Sequence, residues 1–193
     1  MLISSYSGFL IEAGVDEAGR GCLAGPVVAA AVILPHNYTH PLLKDSKQLT
    51  YRQREKLQME IERDAFSIGI GMASVEEIDQ MNVLQASLLA MRRAVENLLY
   101  PPDLLLVDGK FFYNDSSIPY HCIVKGDGLY SSIAAASVIA KTHRDSLMQE
   151  YALTYPHYGW EHNAGYPTKE HYRAIAQYGI TPLHRRSFRL YDN

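Results

Sequence analysis

The chain has 193 residues, of which 47% are hydrophobic and 20% charged, and its formal net charge is −3. These values indicate one well-packed domain over residues 1–193 and exclude a disordered chain. No apolar run reaches the roughly 20 residues of a membrane-spanning helix, and no signal peptide is recognisable. We therefore expect a cytoplasmic protein without membrane contact, in which Cys22 and Cys122 are free thiols.

The first predicted strand ends in two adjacent carboxylates, followed at once by a glycine-rich turn. Residues 11–26 read IEAGVDEAGRGCLAGP, with Asp16 and Glu17 at the end of the apolar run. Successive side chains of a regular strand point to opposite faces, so these two acids cannot both point straight into one site from such a strand. Taken alone, the pair is better explained as two solvated side chains.

A continuous apolar run at residues 27–34 follows the turn. Such a run is typical of a strand buried on both faces, and we expect it to pair with the first strand like a hairpin. A polar loop at residues 45–47 then leads to a helix that ends near residue 63. Its start is predicted by Thr50 and Gln53, which have capping-box spacing.

Residues 66–73 alternate large side chains with small or polar ones, which predicts a third strand. Ser74 and Glu77 repeat the capping-box spacing at the start of a helical region. The apolar residues of the next helix form a stripe from Val83 to Leu99. We interpret this stripe as a packed face rather than a ligand site.

Two further short strands are predicted to end in acids. Residues 103–107 lead into Asp108 and Gly109, and residues 121–124 lead into a turn in which glycines flank Asp127. Open α/β sheets bind their ligands at the C-terminal ends of their strands. These acids are therefore candidates for one site.

The last part of the chain differs in composition. A helix with an unusually small-residue face is predicted over residues 132–141, suited to close packing on the sheet. From Tyr155 on, aromatic, glycine and histidine residues alternate with three prolines, and a short helix is expected between Pro167 and Gly179. Residues 141–193 carry a small excess of basic side chains, which contrasts with the acidic first part.

Four clustered acids, Asp16, Glu17, Asp108 and Asp127, would repel one another unless cations neutralised them. Hard divalent ions such as Mg²⁺ or Mn²⁺ prefer oxygen ligands. Two such ions can activate a water and stabilise the leaving oxygen in phosphodiester hydrolysis. No Ser/His/Asp arrangement competes for the chemistry, so we expect a two-metal site that acts on a phosphodiester.

The glycine-rich turn also satisfies a dinucleotide-binding pattern, G-x-G-x-x-A, at residues 19–24. That pattern must open a helix, whereas here it leads through Gly25 and Pro26 into a strand. We therefore expect no small-molecule organic cofactor. A nucleotide-dependent oxidoreductase is the alternative, and a cofactor-binding experiment would test it. Bare glycines also permit close backbone approach to a ligand, and Arg20 between them could meet a phosphate.

Seven segments, in the order of one family and covering nearly the whole chain, resemble bacterial ribonuclease HII. They are residues 14–21 (GVDEAGRG), 45–47 (DSK), 107–109 (VDG), 125–127 (KGD), 134–141 (AAASVIAK), 165–168 (GYPT) and 184–188 (HRRSF). The resemblance implies a ribonuclease H-like α/β fold: a five-stranded mixed sheet flanked by helices, with a helical, substrate-contacting C-terminal segment at about residues 150–193. It also implies a metal-dependent endoribonuclease that hydrolyses the RNA strand of RNA/DNA hybrids. Incision 5′ of a single ribonucleotide embedded in duplex DNA, leaving a 3′-hydroxyl and a 5′-phosphate, is implied as well.

By the same resemblance, the four acids correspond to the metal ligands of the family. The Gly-Arg-Gly loop, formed by Gly19, Arg20 and Gly21, matches the loop whose backbone contacts the ribose 2′-hydroxyl. Tyr166 matches the tyrosine that stacks on the deoxyribose after the ribonucleotide. The candidates for phosphate contacts are Lys47, Lys125, Arg185 and Arg186. His184 is interpreted as structural or phosphate-facing, in preference to a role in proton transfer.

The alternative from a different class is a non-catalytic module that binds RNA/DNA hybrids. Such a module would keep four clustered carboxylates without gain, and loss of any one of them would have favoured it. All four are present. No trustworthy sliding-clamp motif and no oligomerisation signal are visible, so we expect a monomer whose partners are RNA/DNA hybrids and ribonucleotide-containing DNA.

Overall fold

A five-stranded mixed sheet forms the centre of the computed structural model, which describes residues 2–43, 49–113 and 115–191. The strands are β1 Glu12–Ala18, β2 Val27–Ile33, β3 Ser67–Ala73, β4 Leu104–Asp108 and β5 Tyr120–Ile123. Their order across the sheet is β3-β2-β1-β4-β5. β2 runs antiparallel to β1 and β3, whereas β1, β4 and β5 run parallel to one another. The predicted mixed sheet is confirmed, including the pairing of the first two strands and the complete burial of β2.

Helices cover both faces of this sheet. They are α1 Tyr51–Asp64, α2 Val75–Met81, α3 Val83–Glu96, α4 Ser131–Thr154, α5 Trp160–Asn163 and α6 Lys169–Tyr178, with 3-10 turns at Gly126–Gly128 and Pro156–Tyr158. α3 packs on one face against β1, β2 and β3, and α4 packs on the other against β1 and β2. α1 lies on α4. The predicted helical C-terminal segment is present and has its own apolar cluster around Met148 and Trp160.

Both predicted capping boxes are present, at Thr50 and at Ser74. The apolar stripe predicted to extend to Leu99 is wrong at its end, because α3 stops at Glu96 and the Leu99 side chain is 74% exposed. A residue with positive φ, Asn82 at 75°, separates α2 from α3 and caps α3 with its side chain. The buried face of α3 consists mainly of smaller residues: Ala86, Ser87, Ala90, Met91, Ala94 and Val95.

The helix α4 lies extremely close to the strand that carries the first two acids. A Cβ at Gly14 of β1 would overlap the backbone of Ser132. The alanines at residues 134–136 are fully buried, so the small-residue face predicted for this helix does pack on the sheet. This close packing brings Ser137 near the Asp16 carboxylate.

We expect Gly14→Ala to lower the free energy of unfolding by about 3 kcal/mol. This is the upper end of the usual cost of overpacking a protein interior, and it applies because the added methyl group meets backbone rather than a movable side chain. Thermal unfolding followed by circular dichroism would measure this as a decrease in Tm. The control is Gly128→Ala, whose added Cβ meets no atom within 4 Å. Equal melting temperatures for the two variants would show that α4 can move away from β1.

Both cysteines are free thiols, as predicted; Cys22 is buried and Cys122 partly exposed. Among the residues described, no helix is long and apolar enough to cross a membrane.

Candidate active site

The parallel strands place the predicted acids at one edge of the sheet. Because β1, β4 and β5 run in the same direction, the ends that carry Asp16, Glu17 and Asp108 lie side by side. A cleft of about 410 Å³ opens at this edge. Its lining residues are Asp16, Glu17, Ala18, Gly19, Arg20, Gly21, Arg54, Asp108, Ser137, Val138, Lys141 and Tyr166.

Asp16 and Glu17 reach the same cleft although they are neighbours on a strand. The buried Asp16 carboxylate accepts a hydrogen bond from the Glu17 backbone N–H at 2.8 Å, and the nearby Ser137 side chain of α4 opposes the rise in its pKa. Glu17 Oε1 instead accepts a hydrogen bond from the Arg20 guanidinium at 3.1 Å. Contacts with α4 on one side and with the Gly-Arg-Gly loop on the other therefore hold both carboxylates at one site.

The proximity of these acids changes their affinity for protons. Burial raises the pKa of Asp16 well above its usual value, and the charges of Glu17 and Asp108 raise it further. Burial also raises the pKa of Glu17, although the Arg20 guanidinium acts in the opposite direction. A divalent cation would favour the charged forms of the same carboxylates, so protons and cations compete for this cluster.

Asp108 and Asp127 are connected through the turn that follows β5. Asp108 Oδ1 accepts a hydrogen bond from the Gly126 backbone N–H at 2.6 Å. Asp127 is the next residue of this turn; its side chain is buried and is not among those that line the cleft. The structure therefore brings three of the four predicted acids into the cleft and places the fourth in the turn whose Gly126 N–H binds Asp108.

The chemistry of these ligands suits a hard divalent cation, since carboxylate oxygens are what Mg²⁺ and Mn²⁺ prefer. Within residues 2–43, 49–113 and 115–191, however, no three His, Cys, Asp or Glu side chains form a ready metal-binding group. The guanidinium of Arg20 neutralises Glu17 instead. A cation at this point would take over that role and offset the repulsion that now raises the pKa of Asp16.

Arg185 holds the Gly-Arg-Gly loop from inside the protein. Its side chain is fully buried and donates hydrogen bonds of 2.7–3.3 Å to the backbone carbonyls of Gly19, Arg20, Gly25 and Pro26. Burial lowers the pKa of Arg185 to about 10, so the side chain remains cationic at neutral pH. The predicted phosphate contact of Arg185 is therefore wrong, because its donors are used within the protein and cannot reach a phosphate at the surface.

A second buried arginine, Arg144 of α4, supports the same region and was not singled out from the sequence. Its guanidinium donates hydrogen bonds of 2.8–3.0 Å to the backbone carbonyls of Ala24, Pro26 and Ala164. Gly19, at φ 95°, lies so close that a Cβ would overlap the Arg144 side chain. Glycine is therefore required at this position of the loop both by its backbone conformation and by its contact with Arg144.

Tyr166 lies beside the loop, and 39% of the residue is exposed at the cleft. Its hydroxyl contacts the Cys22 thiol, and the Lys141 Nζ is 5.8 Å from the centre of its ring. Burial raises the pKa of Tyr166, so the hydroxyl stays protonated at neutral pH. The ring is thus held at its polar end while one part remains available to a ligand.

Three polar cleft residues were not predicted as site residues: Arg54, Ser137 and Lys141. Lys141 Nζ donates to both carboxylate oxygens of Asp145, at 2.7 and 2.8 Å, and Arg54 donates to the same carboxylate at 3.3 Å. Ser137, Lys141 and Asp145 are four residues apart and hence share one face of α4. That spacing was the signal in the sequence that could have identified this wall of the cleft.

Two of the remaining predicted phosphate contacts, Lys125 and Arg186, are not among the residues that line the cleft. Lys125 is exposed, in a left-handed conformation at φ 58°, just before the turn that carries Asp127. Arg186 is also exposed, and its backbone N–H donates to Asp79 at 3.0 Å. Their phosphate contacts stay predictions, and Lys47 lies outside the described residues. His184 is buried, in agreement with its interpretation as structural.

The sheet, its flanking helices and the acidic edge define a ribonuclease H-like α/β protein. The solved structure of ribonuclease H2 from Pyrococcus horikoshii OT3 has a similar fold, with a TM-score of 0.77 and 28% identity over 93% of this chain and 94% of that one. The family model for ribonuclease HII matches residues 13–191, and the chain belongs to that family.

Curated relatives agree with this assignment. Ribonuclease HII of Cytophaga hutchinsonii is 57% identical over 97% of this chain and 93% of its own length. Ribonuclease HII of Porphyromonas gingivalis is 54% identical over 98% of this chain and 94% of its own length. The predicted classification as a metal-dependent endoribonuclease of the ribonuclease H type is thereby confirmed.

Proposed function

We propose that this protein hydrolyses the RNA strand of RNA/DNA hybrids and cuts duplex DNA on the 5′ side of a single embedded ribonucleotide, leaving a 3′-hydroxyl and a 5′-phosphate. One observation supports this most directly: three acids line the same cleft as the Gly-Arg-Gly loop and Tyr166. The acidic cluster suits phosphodiester hydrolysis. The loop beside it offers backbone groups to a 2′-hydroxyl, which is both a donor and an acceptor and distinguishes RNA from DNA.

In this proposal, Asp16, Glu17, Asp108 and Asp127 hold two divalent ions, Mg²⁺ or Mn²⁺. Bound ions of this kind supply an activated water and stabilise the leaving oxygen. The protein contributes orientation: the Glu17 backbone N–H holds the Asp16 carboxylate, and the Gly126 N–H in the turn after β5 holds that of Asp108. Arg20, whose side chain is half exposed, is placed to meet a phosphate next to these acids.

The C-terminal segment, at about residues 150–193, contributes Tyr166 to substrate binding. Its ring stacks on the deoxyribose that follows the ribonucleotide, so that the loop and the ring together recognise the RNA-to-DNA junction. The neighbouring cations Arg54 and Lys141 make this wall of the cleft attractive to the phosphates of the substrate. Lys125 and Arg186 are proposed to contact phosphates farther along the duplex.

The test is cleavage of an end-labelled DNA duplex that contains one ribonucleotide, beside an all-DNA duplex, with Mg²⁺, with Mn²⁺ and with EDTA. We expect one metal-dependent cut, 5′ of the ribonucleotide, and none in the all-DNA control. Binding of an RNA/DNA hybrid without cleavage under either metal, by protein shown to be folded, would instead support a non-catalytic binding module.

Removal of the aromatic ring in Tyr166→Ala should lower cleavage at the single ribonucleotide by about 5–150-fold, since a stacking contact contributes about 1–3 kcal/mol. The melting temperature should change little, because the ring is partly exposed already. Tyr166→Phe is the matched variant: it keeps the ring, loses only the hydroxyl contact with Cys22, and should retain most of the activity. A fall in Tm that matches the fall in activity would show that the ring is only structural.

A further inference from the structure

A chain of buried contacts connects Thr181, through His184 and His171, to the backbone of Tyr166. His171, in the first turn of α6, and His184 are both buried, and their Nε2 atoms are 3.1 Å apart. His171 Nε2 also lies 3.1 Å from the indole nitrogen of Trp160, and its Nδ1 lies 3.0 Å from the Tyr166 carbonyl oxygen. His184 Nδ1 lies 2.9 Å from the backbone nitrogen of Thr181.

The donors at the two ends determine where the protons are. The Trp160 indole N–H and the Thr181 backbone N–H can only donate. His171 must therefore present a bare Nε2 to Trp160, and its proton lies on Nδ1, where it is donated to the Tyr166 carbonyl. His184 must present a bare Nδ1 to Thr181, so its proton lies on Nε2 and points to His171. One arrangement of protons on two neutral rings is therefore compatible with these contacts. The Trp160 and His184 N–H groups share the bare Nε2 of His171, and the Thr181 hydroxyl, 3.0 Å from His184 Nδ1, is a second donor to that nitrogen.

A second proton on either ring would disturb this arrangement. At His184 Nδ1, the added proton would face the Thr181 N–H. At His171 Nε2, it would face two donors, the N–H groups of Trp160 and His184. Burial lowers the pKa of both histidines, that of His184 to about 4, where the neighbouring His171 contributes as well. Glu170 acts in the opposite direction on His171 without outweighing burial. Both rings are therefore neutral at pH 7.

We propose that His171 is a positioning residue for Tyr166, and that Trp160, His184 and Thr181 keep it in the neutral form protonated at Nδ1. The Tyr166 carbonyl also accepts a hydrogen bond from the Thr168 N–H at 2.8 Å, and the Tyr166 N–H donates to the Asn163 carbonyl at 2.9 Å. The backbone of Tyr166 is thus fixed on both sides, and this orients its ring toward the cleft. The inference rests on the proposed role of Tyr166 in substrate recognition.

The protonation states can be measured without any substrate. In the ¹⁵N-labelled full chain at pH 7, long-range ¹H–¹⁵N correlation spectra distinguish protonated from bare ring nitrogens. We expect the proton on Nδ1 in His171 and on Nε2 in His184. A proton on Nε2 of His171, or a doubly protonated His171, would overturn the proposal whatever the enzyme's activity proves to be.

A pair of variants tests the consequence for the substrate. His171→Asn places an amide N–H near the position of Nδ1, whereas His171→Leu is apolar and has no donor. Both remove the acceptor for Trp160, so we expect similar decreases in Tm. The relevant readout is the ratio of cleavage of a single-ribonucleotide duplex to cleavage of a uniform RNA/DNA hybrid.

We expect this ratio to fall by about tenfold in His171→Leu, as for a displaced substrate-positioning group, and to stay near the wild-type value in His171→Asn. An equal fall in both variants, or no fall in either, would overturn the positioning role. Should neither substrate be cleaved by the wild-type protein, the proposed function fails, while the NMR result still decides whether His171 holds Tyr166 through Nδ1.

Discussion

Replacement of Asp108 by Asn should reduce cleavage by more than about 100-fold while the protein remains folded. Loss of a residue that only supports a metal ligand already costs up to about 100-fold, so loss of a ligand itself should cost more. The Asn side chain has the same shape, and its Oδ1 can still accept the 2.6 Å hydrogen bond from Gly126. The variant loses the negative charge that helps to raise the pKa of Asp16. In EDTA its Tm should therefore equal or exceed that of the wild type, by about 2–4 °C for each kcal/mol of repulsion removed.

Asp115→Asn is the matched control for this experiment. Asp115 forms an exposed ion pair with Arg92, a type of contact that contributes little to stability. Cleavage and melting temperature should both be unchanged in this control. Wild-type turnover by Asp108→Asn would remove Asp108 from the metal site, and a large decrease in its Tm would show that its charge stabilises the fold.

Arg185→Lys should have the largest effect on stability among conservative substitutions near the site. The guanidinium donates to four backbone carbonyls, and a lysine ammonium cannot reproduce this fork. At least two buried carbonyls would lose their partner, at about 1–3 kcal/mol each, so we expect a loss of about 2–6 kcal/mol. Since the Gly-Arg-Gly loop loses its support, cleavage at a single ribonucleotide should fall as well.

The adjacent Arg186 provides the control for stability. Its side chain is exposed, and the contact with Asp79 is made by its backbone N–H, which Arg186→Lys retains. Arg186→Lys should therefore unfold within about 0.5 kcal/mol of the wild type, as is usual for surface substitutions. Denaturant unfolding of both variants would measure the difference. Equal stabilities would mean that the buried guanidinium of Arg185 is replaceable.

The elements of the fold were predictable because their signals are local. Each capping box depends on residues three positions apart, and the buried strand β2 follows from one uninterrupted apolar run. The error at Leu99 has a local cause too. Its apolar character continues the stripe of α3, but the helix has ended at Glu96 and the side chain lies in solvent.

The site was only partly predictable. The acids and the Gly-Arg-Gly loop were found because they follow strands and match a family motif. Arg144 and Arg185 were not recognised as buried, because nothing in the neighbouring residues distinguishes an arginine that binds loop carbonyls from one in solvent. The same holds for His171, whose partners Trp160 and His184 are distant in the chain.

Local patterns and motifs along the chain were enough to predict the succession of strands and helices, the membership in the ribonuclease HII family and the candidate acids. Tertiary packing was needed to establish which of these residues share a cleft, and which basic side chains are available to a ligand. Parallel pairing aligns Val15 of β1 with Val107 of β4, and Asp108 of β4 with Ile123 of β5, so that acids from separate parts of the chain meet at one edge of the sheet. Burial also distinguishes side chains of the same chemical type. Arg20 is exposed at the cleft and can meet a ligand, whereas Arg185 is buried beneath the loop that carries Arg20 and binds its backbone.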